Sequence, residues 1–327
     1  MTGRDLQVRA LQDVAMSRLE AFSKAAEGAF AKNTERAFKA DSAVWFSWCQ
    51  KNGWPALPIE PQTLAAFIDD MGKVKRPATI ARYLVSLRRM SRAAGQEIRT
   101  KDNEVELAIR RVRRASGVRQ KQAKPLRDPD LSRITEVLDR SDARDLRDGV
   151  VLLLAYDTLC RRSEVVNLLW VDLQDRDDGT GIVLVRAGKT DQERAGKWRP
   201  VSRTTMEWVK LYRKAIETLG NCPPEILVSF DMSKRISGPL RCEGADQGGN
   251  VSRIIKRLVA LSGQLPDGYS GHSLRVGATQ DLTAAGFDLP AIMQAGGWSS
   301  PDMPARYAER LRAADSAMAE LARRKGR

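Results

Sequence analysis

From about residue 17 to 115 apolar residues return every three or four positions, broken at short intervals by glycine and proline. That is the pattern of successive amphipathic helices. In "NTERAFKADSAVWFSWCQKNG" the residues Phe38, Val44, Trp45, Trp48 and Cys49 fall on one helical stripe. Asn33 is the expected cap and Gly53 the expected stop. "EPQTLAAFIDDMG" and "RPATIARYLVSLRRMSRAAG" repeat the plan, each expected to close at its glycine. "DNEVELAIRRVRRAS" adds a shorter helix, so 17–115 reads as one all-helical domain with a basic side. Residues 1–16 carry no such pattern and are expected to form a loosely ordered, flexible segment. The periodicity lapses again over 116–128, "SGVRQKQAKPLRD", where Gly117 and Pro125 predict a basic linker.

A second domain is expected over 129–327, opening with "DPDLSRITEVLDR". "RDLRDGVVLLLAYDTLCRRSEVVNLLW" is too long and too apolar to lie on a surface throughout. It predicts a core helix, a break near Asp157–Thr158 and a second helix from near Arg161. The β-branched residues of "TGIVLVRAGKT", followed by "GKWRPVS", predict a small sheet, after which the text returns to helices. Near the end, "RAADSAMAELARR" (312–324) places Ala314, Met318 and Leu321 on one apolar face.

Length supports this division, since 327 residues suffice for two cores. No run of roughly 18 apolar residues is present, so no membrane span is expected. "MTGRDLQVRALQD" has neither an apolar core nor a small-residue cleavage site, which argues against secretion. Cys49, Cys160, Cys222 and Cys242 show no paired spacing and are expected to be reduced thiols of a cytoplasmic protein.

Charge narrows the partners. The formal net charge is +14, and residues 88–124 alone hold twelve Lys or Arg against four acids. Salt-bridged helix surfaces mix signs, whereas this stretch is dominated by one, so nucleic acid is the expected partner. Composition also limits the chemistry. A single histidine cannot build a His-rich metal site, and no CxxC pair supplies thiolates. No phosphate loop or dinucleotide fingerprint appears, so an enzyme here is expected to work without ATP or NAD. Composition alone leaves carboxylate-bound Mg²⁺ open. The expectation is no cofactor and no metal.

Several local groupings can carry chemistry. Arg161 and Glu164 are three apart on an expected helix and share a face, as an anion clamp with a supporting acid or as an ordinary ion pair. His272, the only histidine, precedes Arg275 by three residues in "GHSLRVGA". Gly271 there would permit close backbone approach. The pair reads either as phosphate donors or as a satisfied core histidine beside an arginine; arginine's planar fork suits phosphate oxygens. Lys189 in "RAGKT" is a proton donor on a hairpin or a surface lysine. Trp298 and Tyr307 in "GGWSSPDMPARYAERL" are functional or plain packing residues.

Taken together and in order, these residues resemble the tyrosine recombinase (phage integrase) family, and within it the Cre-like branch. That family carries Arg, Lys, His-x-x-Arg, His or Trp, and a nucleophilic Tyr in this sequence order. The matching positions are Arg161 in "TLCRRSEV", with Glu164 as its acid, Lys189 in "RAGKT", His272 and Arg275 in "GHSLR", Trp298 in "QAGGW" and Tyr307 in "ARYAERL". "FSWCQKNGW", "AIRRVRR" and "GHSLRVGATQDLTAAGFDLPAIMQAGGW" extend the likeness over nearly the whole chain. Lys197 competes with Lys189 for the lysine position.

The resemblance implies a mostly α fold, with a helical core-binding domain and a mainly helical catalytic domain holding a small sheet. The two would close as a C-shaped clamp on DNA. It implies metal-free transesterification: Tyr307 attacks a backbone phosphate, a 3′-phosphotyrosine forms and a 5′-hydroxyl leaves. Arg161, Arg275, His272 and Trp298 would contact the phosphate, and Lys189 would protonate the leaving oxygen. The implied partner is double-stranded DNA with an inverted-repeat site. A monomer or dimer would assemble into a homotetramer on two sites, through a Holliday junction. The 312–324 face would dock in a neighbouring protomer or on its own domain. The implied location is cytoplasmic, associated with DNA or the nucleoid. Helices 33–51 and 75–94 are candidates for the major groove. Lys39, Arg82, Arg88, Arg110, Arg111, Arg113, Arg114, Arg119 and Lys121 are the candidate DNA contacts. A type IB topoisomerase, a telomere resolvase and a non-catalytic DNA-binding regulator are the rival readings.

Overall fold

The computed structural model describes residues 3–119, 121–186, 196–220, 222–242, 249–314 and 316–326. It divides into two compact units, residues 1–120 and 121–327.

The first unit consists of helices α1 (Gly3–Ala25), α2 (Lys32–Asn52), α3 (Pro61–Val74), α4 (Pro77–Ala93) and α5 (Asn103–Ser116). Proline opens both α3 and α4, where its missing N–H costs nothing. The core is aromatic. Trp45 and Trp48 pack edge-on against Phe67, with centroids 5.1 and 5.4 Å apart. Their indole N–H groups are satisfied by the Ala56 carbonyl at 3.0 Å and Asp70 Oδ2 at 3.1 Å.

Three local expectations change. Of the segment expected to be loosely ordered, residues 3–16 are helical, because α1 begins at Gly3. Ala15 is buried and Leu19 packs on the core, which anchors the helix through two positions too few to make a sequence stripe. Asn33 is not the cap of α2: the helix starts one residue earlier, with Ala31 in the cap position, and Asn33 Oδ1 accepts from Arg36 instead. Gly53 does end α2 in the left-handed conformation. Gly72, by contrast, ends nothing. A Cβ there would stand 2.4 Å from Val112 Cγ2, so this glycine lets α5 pack closely on α3.

The second unit is built around α7 (Ala143–Asp157), whose residues Leu146 to Ala155 are buried without a break. Asp142 caps it by accepting from the Arg144 and Asp145 amides at 2.7 and 3.2 Å. Before it lies α6 (Asp128–Glu136), and after it the four-residue α8 (Arg162–Val165). A 3-10 turn then leads into an antiparallel sheet of β1 (Leu173–Asp175), β2 (Gly181–Val185) and β3 (Lys197–Val201), in that spatial order. Helix α9 (Arg203–Leu219) returns against α7, with Trp208 lying over Gly149. Next comes a two-stranded ribbon, β4 (Val228–Phe230) with β5 (Ile236–Pro239), where only helices were expected. Its strands are too short to show alternation. The remaining helices are α10 (Gly249–Leu261), α11 (Ser273–Ala284), α12 (Leu289–Gly296), α13 (Asp302–Ala314) and α14 (Ala317–Arg324). The expected single stretch over 312–324 is thus two helices, with Ser316 capping the second. No residue of α14 is buried, and Met318 and Leu321 are exposed. Among the described residues no helix is long and apolar enough to cross a membrane.

The segment expected as a free linker is in part docked. Lys124 and Leu126 donate their amides to the carbonyls of Gly268 and Ser273, at 2.9 and 3.0 Å. The Leu126 side chain is fully buried in the core of the second unit. Asp281 of α11 holds Arg127 Nε at 2.5 Å, the Asp128 amide at 2.9 Å and the Tyr156 hydroxyl at 2.5 Å. The closest approach is at Gly277, where a Cβ would lie 1.6 Å from the Leu126 carbonyl oxygen. Gly271, expected to serve close approach, has only ordinary clearance, with Arg162 Cβ at 3.4 Å.

Gly277→Ala is therefore expected to destabilise the second unit. Alanine gains about 1 kcal/mol in helix propensity over glycine. Against that, displacing Leu126 costs about 1.5–3 kcal/mol of side-chain burial and about 0.5–1.5 kcal/mol for each backbone hydrogen bond lost. The loss wins by a few kcal/mol. Chemical denaturation reads it directly, and an unchanged or raised midpoint contradicts the docking.

Candidate active site

The site is built at two helix starts and one helix end. Between α7 and α8 the chain turns through Leu159, a non-glycine residue in the left-handed region (φ 49°). This directs the Leu159 carbonyl at Arg275 Nη1, which donates to it. Arg161 then takes the cap position of α8 rather than a place inside a helix. Glu164 reaches back to it twice, accepting from the Arg161 amide at 2.8 Å and from Nη1 at 2.6 Å. One carboxylate therefore caps a short helix and orients a guanidinium.

His272 stands at the cap position of α11, and Arg275 lies in that helix's first turn. Arg275 is only 2% exposed. Its Nη2 donates to the Gly296 carbonyl at 3.2 Å, and its Cζ lies 4.4 Å from the centre of the Trp298 ring. Trp298 follows the left-handed Gly297 that ends α12. Its ring folds back over Gly296, where a Cβ would come within 1.8 Å of it. The doublet before the tryptophan is thus required, first by the ring and then by the turn. Tyr307 of α13 meets Trp298 edge to face, with centroids 6.1 Å apart and planes at 74°. Gln280 of α11 and Gln122 donate to the Tyr307 carbonyl at 3.0 and 3.5 Å, fixing the helix that carries the phenol.

Electrostatics make the cluster an anion trap. Burial first, then the neighbouring Arg161, lowers the Arg275 pKa to about 10, so it stays charged near neutrality. Protein crowding the imidazole, followed by Arg275, Arg162 and Arg161, holds His272 below the ordinary value although its ring remains open to solvent. Burial pushes the Cys160 thiol up to about 11, so it adds no anion. Among the described residues, Glu164 is the carboxylate that offsets the guanidiniums. Such a site holds positive charge out of water and favours an anion. Among the described residues no group of three or more His, Cys, Asp or Glu is placed to hold a metal ion.

The structure thus brings together six of the seven expected site residues: Arg161, Glu164, His272, Arg275, Trp298 and Tyr307. Lys189 lies outside the described residues. Lys197 is exposed at the start of β3. Arg199, not singled out in the sequence, reaches the same cluster: its surroundings include Cys160, Glu164 and Arg161. The available signal was strand alternation, which puts Arg199 on the face of the buried Val201.

In the first unit Arg88, Arg92, Arg99, Lys101, Arg110 and Arg113 line an open groove of about 1050 Å³, six basic residues against the three acids Glu97, Asp102 and Glu106. Arg114, Arg119 and Lys121 are exposed. Arg88 donates to Thr100 Oγ1 at 3.2 and 2.9 Å, and Arg110 lies 3.7 Å from Glu106. Two further expected DNA contacts form closer ion pairs within the unit. Arg111 makes a bidentate pair with Asp69 at 3.0 and 2.5 Å, and Arg82 Nη2 pairs with the buried Asp41 at 2.9 Å. Sequence could not show these partners, which lie 42 and 41 positions away. Lys39 lines a different recess, beside Phe30 and Phe38.

Comparison with known proteins adds four findings. Residues 124–313 match the phage integrase family. The chain is 27% identical over 306 residues to the recombinase Cre of Escherichia phage P1, covering 90% of this chain and 88% of the relative. It is 26% identical over 282 residues to an integrase/recombinase XerD homologue of Selenomonas ruminantium, covering 85% and 82%. Its fold is similar to that of the Tn1549 transposon integrase solved with transposon right-end DNA. There the TM-score is 0.63 at 16% identity, over 92% of this chain and 99% of that one.

Proposed function

Because this chain belongs to the phage integrase family and is a tyrosine site-specific recombinase, we propose that the cluster around Arg275 is its strand-cleaving site, with Tyr307 as nucleophile. The observation that carries this reading is the Arg275–Trp298–Tyr307 stack: a desolvated guanidinium under an indole whose edge meets the phenol.

A scissile phosphate seated here receives guanidinium donors from Arg161 and Arg275 on its non-bridging oxygens, and the Trp298 N–H beside them. Glu164 keeps Arg161 aimed. A phenol's ordinary pKa is about 10, so Tyr307 needs help to attack at neutral pH. His272, held neutral, takes the phenolic proton as the Tyr307 oxygen bonds to phosphorus. The 3′-phosphotyrosine forms as the bond to the 5′-oxygen breaks, and a lysine, Lys189 or Lys197, protonates that oxygen. The ester keeps the energy of the phosphodiester. A 5′-hydroxyl from a partner strand reseals it without a nucleotide cofactor.

The protein binds double-stranded DNA, and the basic groove of the first unit, with Arg88, Arg110 and Arg113, is the backbone-contacting surface that we assign. Strand exchange calls for four protomers on two inverted-repeat sites. The exposed Met318 and Leu321 of α14 supply an apolar face for a neighbouring protomer.

The test is a covalent trap. A nicked duplex selected from a randomised pool for binding is incubated with the protein, and the linked peptide is identified by mass spectrometry. Linkage at Tyr307 is expected. No adduct, or linkage elsewhere, overturns the reading.

His272 adds a pH prediction. With its pKa lowered, the imidazole is neutral at pH 7 and stays so as pH falls past the ordinary 6.5. The kcat/KM profile, which reports the free protein, is expected to stay flat to below pH 6.5 and then fall. His272→Gln removes that acid limb. A limb above 6.5 that vanishes with His272→Gln contradicts the assignment.

A further inference from the structure

Arg199 makes no ion pair among the described residues, yet burial lowers its pKa and Arg161 adds to that effect. A cation in a cation-rich, desolvated place needs a compensating interaction. It is found at the end of α12. Arg199 Nη1 donates to the Gln294 carbonyl at 2.9 Å and also to the Ala295 carbonyl. These are carbonyls of the last helical turn, where the helix dipole favours a cation. Nη2 lies 2.5 Å from where a Cβ on Gly297 would stand, so the guanidinium runs alongside the turn itself. The next residue is Trp298, whose ring covers Arg275 and meets Tyr307. Arg199 therefore bridges β3, at a position paired with Val183 of β2, to the turn that aims the tryptophan.

We propose that Arg199 is a positioning residue for strand cleavage: by tying the last carbonyls of α12 to β3, it sets the Gly296–Gly297 turn and so holds Trp298 over Arg275 and against Tyr307. This rests on the reading of the cluster as the cleavage site. It gives β3 a second task, since the strand follows directly in sequence on the segment that carries Lys189. Arginine is favoured because Nη1 reaches both carbonyls while Nη2 of the same planar group runs along the Gly297 turn; a lysine ammonium can supply the first contact but not the second.

A double-mutant cycle tests it, using wild type, Arg199→Met, Trp298→Phe and the double variant on the nicked duplex that the wild type cleaves. Single-turnover adduct formation, DNA affinity and thermal midpoint are measured for each. Arg199→Met and Trp298→Phe are each expected to slow cleavage roughly 10- to 100-fold. The double variant is expected to be within about twofold of the slower single variant, because Arg199 acts through Trp298. DNA affinity stays within about threefold. A merely stabilising residue, or one that contacts the phosphate by itself, gives losses that multiply, and that result overturns the proposal. So does a wild-type rate for Arg199→Met. Should Arg199→Met fail to fold, Arg199→Lys enters the same cycle, with a smaller loss and the same lack of multiplication expected. If the wild type itself forms no adduct, the cleavage-site reading falls and this inference with it. If the wild type cleaves and the losses multiply, only this inference falls.

Discussion

Tyr307→Phe is expected to eliminate the covalent DNA adduct completely while leaving fold and DNA binding intact. Its ring is 92% covered and contributes to packing through the edge-to-face contact with Trp298. Phenylalanine keeps that ring, its size and its geometry, so no cavity opens and the stacking persists. The helix that carries it is also held independently of the hydroxyl, through the Gln280 and Gln122 bonds to the residue 307 carbonyl. Only the oxygen proposed as nucleophile is lost, and no neighbouring hydroxyl on α13 can replace it. A gel-shift assay should therefore give an affinity within about twofold of wild type, since one hydroxyl is a small share of the base and phosphate contacts that set affinity. A trapped adduct persisting at wild-type level would assign the nucleophile to another residue. Loss of binding together with loss of the adduct would make Tyr307 a structural residue instead.

The elements legible beforehand are those whose signal is local. The unbroken apolar run of α7 exceeds what a surface helix tolerates, and Leu146 to Ala155 are all buried. Gly53 could be read because a left-handed helix end needs glycine whatever packs against it. Gly72, Gly277 and Gly296 could not. Each is small because something distant in space occupies the room of a side chain: Val112, the Leu126 backbone and the Trp298 ring. The β4–β5 ribbon escaped for another reason, since strands of three and four residues carry no measurable alternation.

The site follows the same division. Arg161, Glu164, His272, Arg275, Trp298 and Tyr307 were legible as an ordered set of residue types, although none was specific alone. How they are held in place was not legible. The expected same-face helical pair at Arg161 and Glu164 gives way to a helix-cap position, and His272 takes another, because Leu159 turns the chain before α8 and Ser273 starts α11. Arg199 stayed hidden because its meaning depends on carbonyls 95 and 96 positions away.

Arg275→Ala carries the second large effect, and it separates two roles of one side chain. In catalysis, removing a buried donor aimed at a developing oxyanion costs roughly 10²–10³-fold. Loss of the buried charge and its stacking under Trp298 adds to that, so a fall of at least about 10³-fold in single-turnover cleavage is expected. In the fold, the same change leaves the Leu159 and Gly296 carbonyls without their donor, at about 1–3 kcal/mol for each buried carbonyl left unpaired. The left-handed Leu159 also loses the partner that holds its carbonyl inward. A lower thermal midpoint is thus expected alongside the lost activity, and activity alone cannot assign the cause. Arg275→Lys separates the two. It keeps the charge and can restore one carbonyl bond, so most of the stability should return. It cannot supply the planar fork, so cleavage should remain at least about 10²-fold below wild type. Recovery of stability with cleavage still depressed places Arg275 at the reacting phosphate. Full recovery of cleavage by lysine would make the guanidinium a support for the Leu159 turn and nothing more.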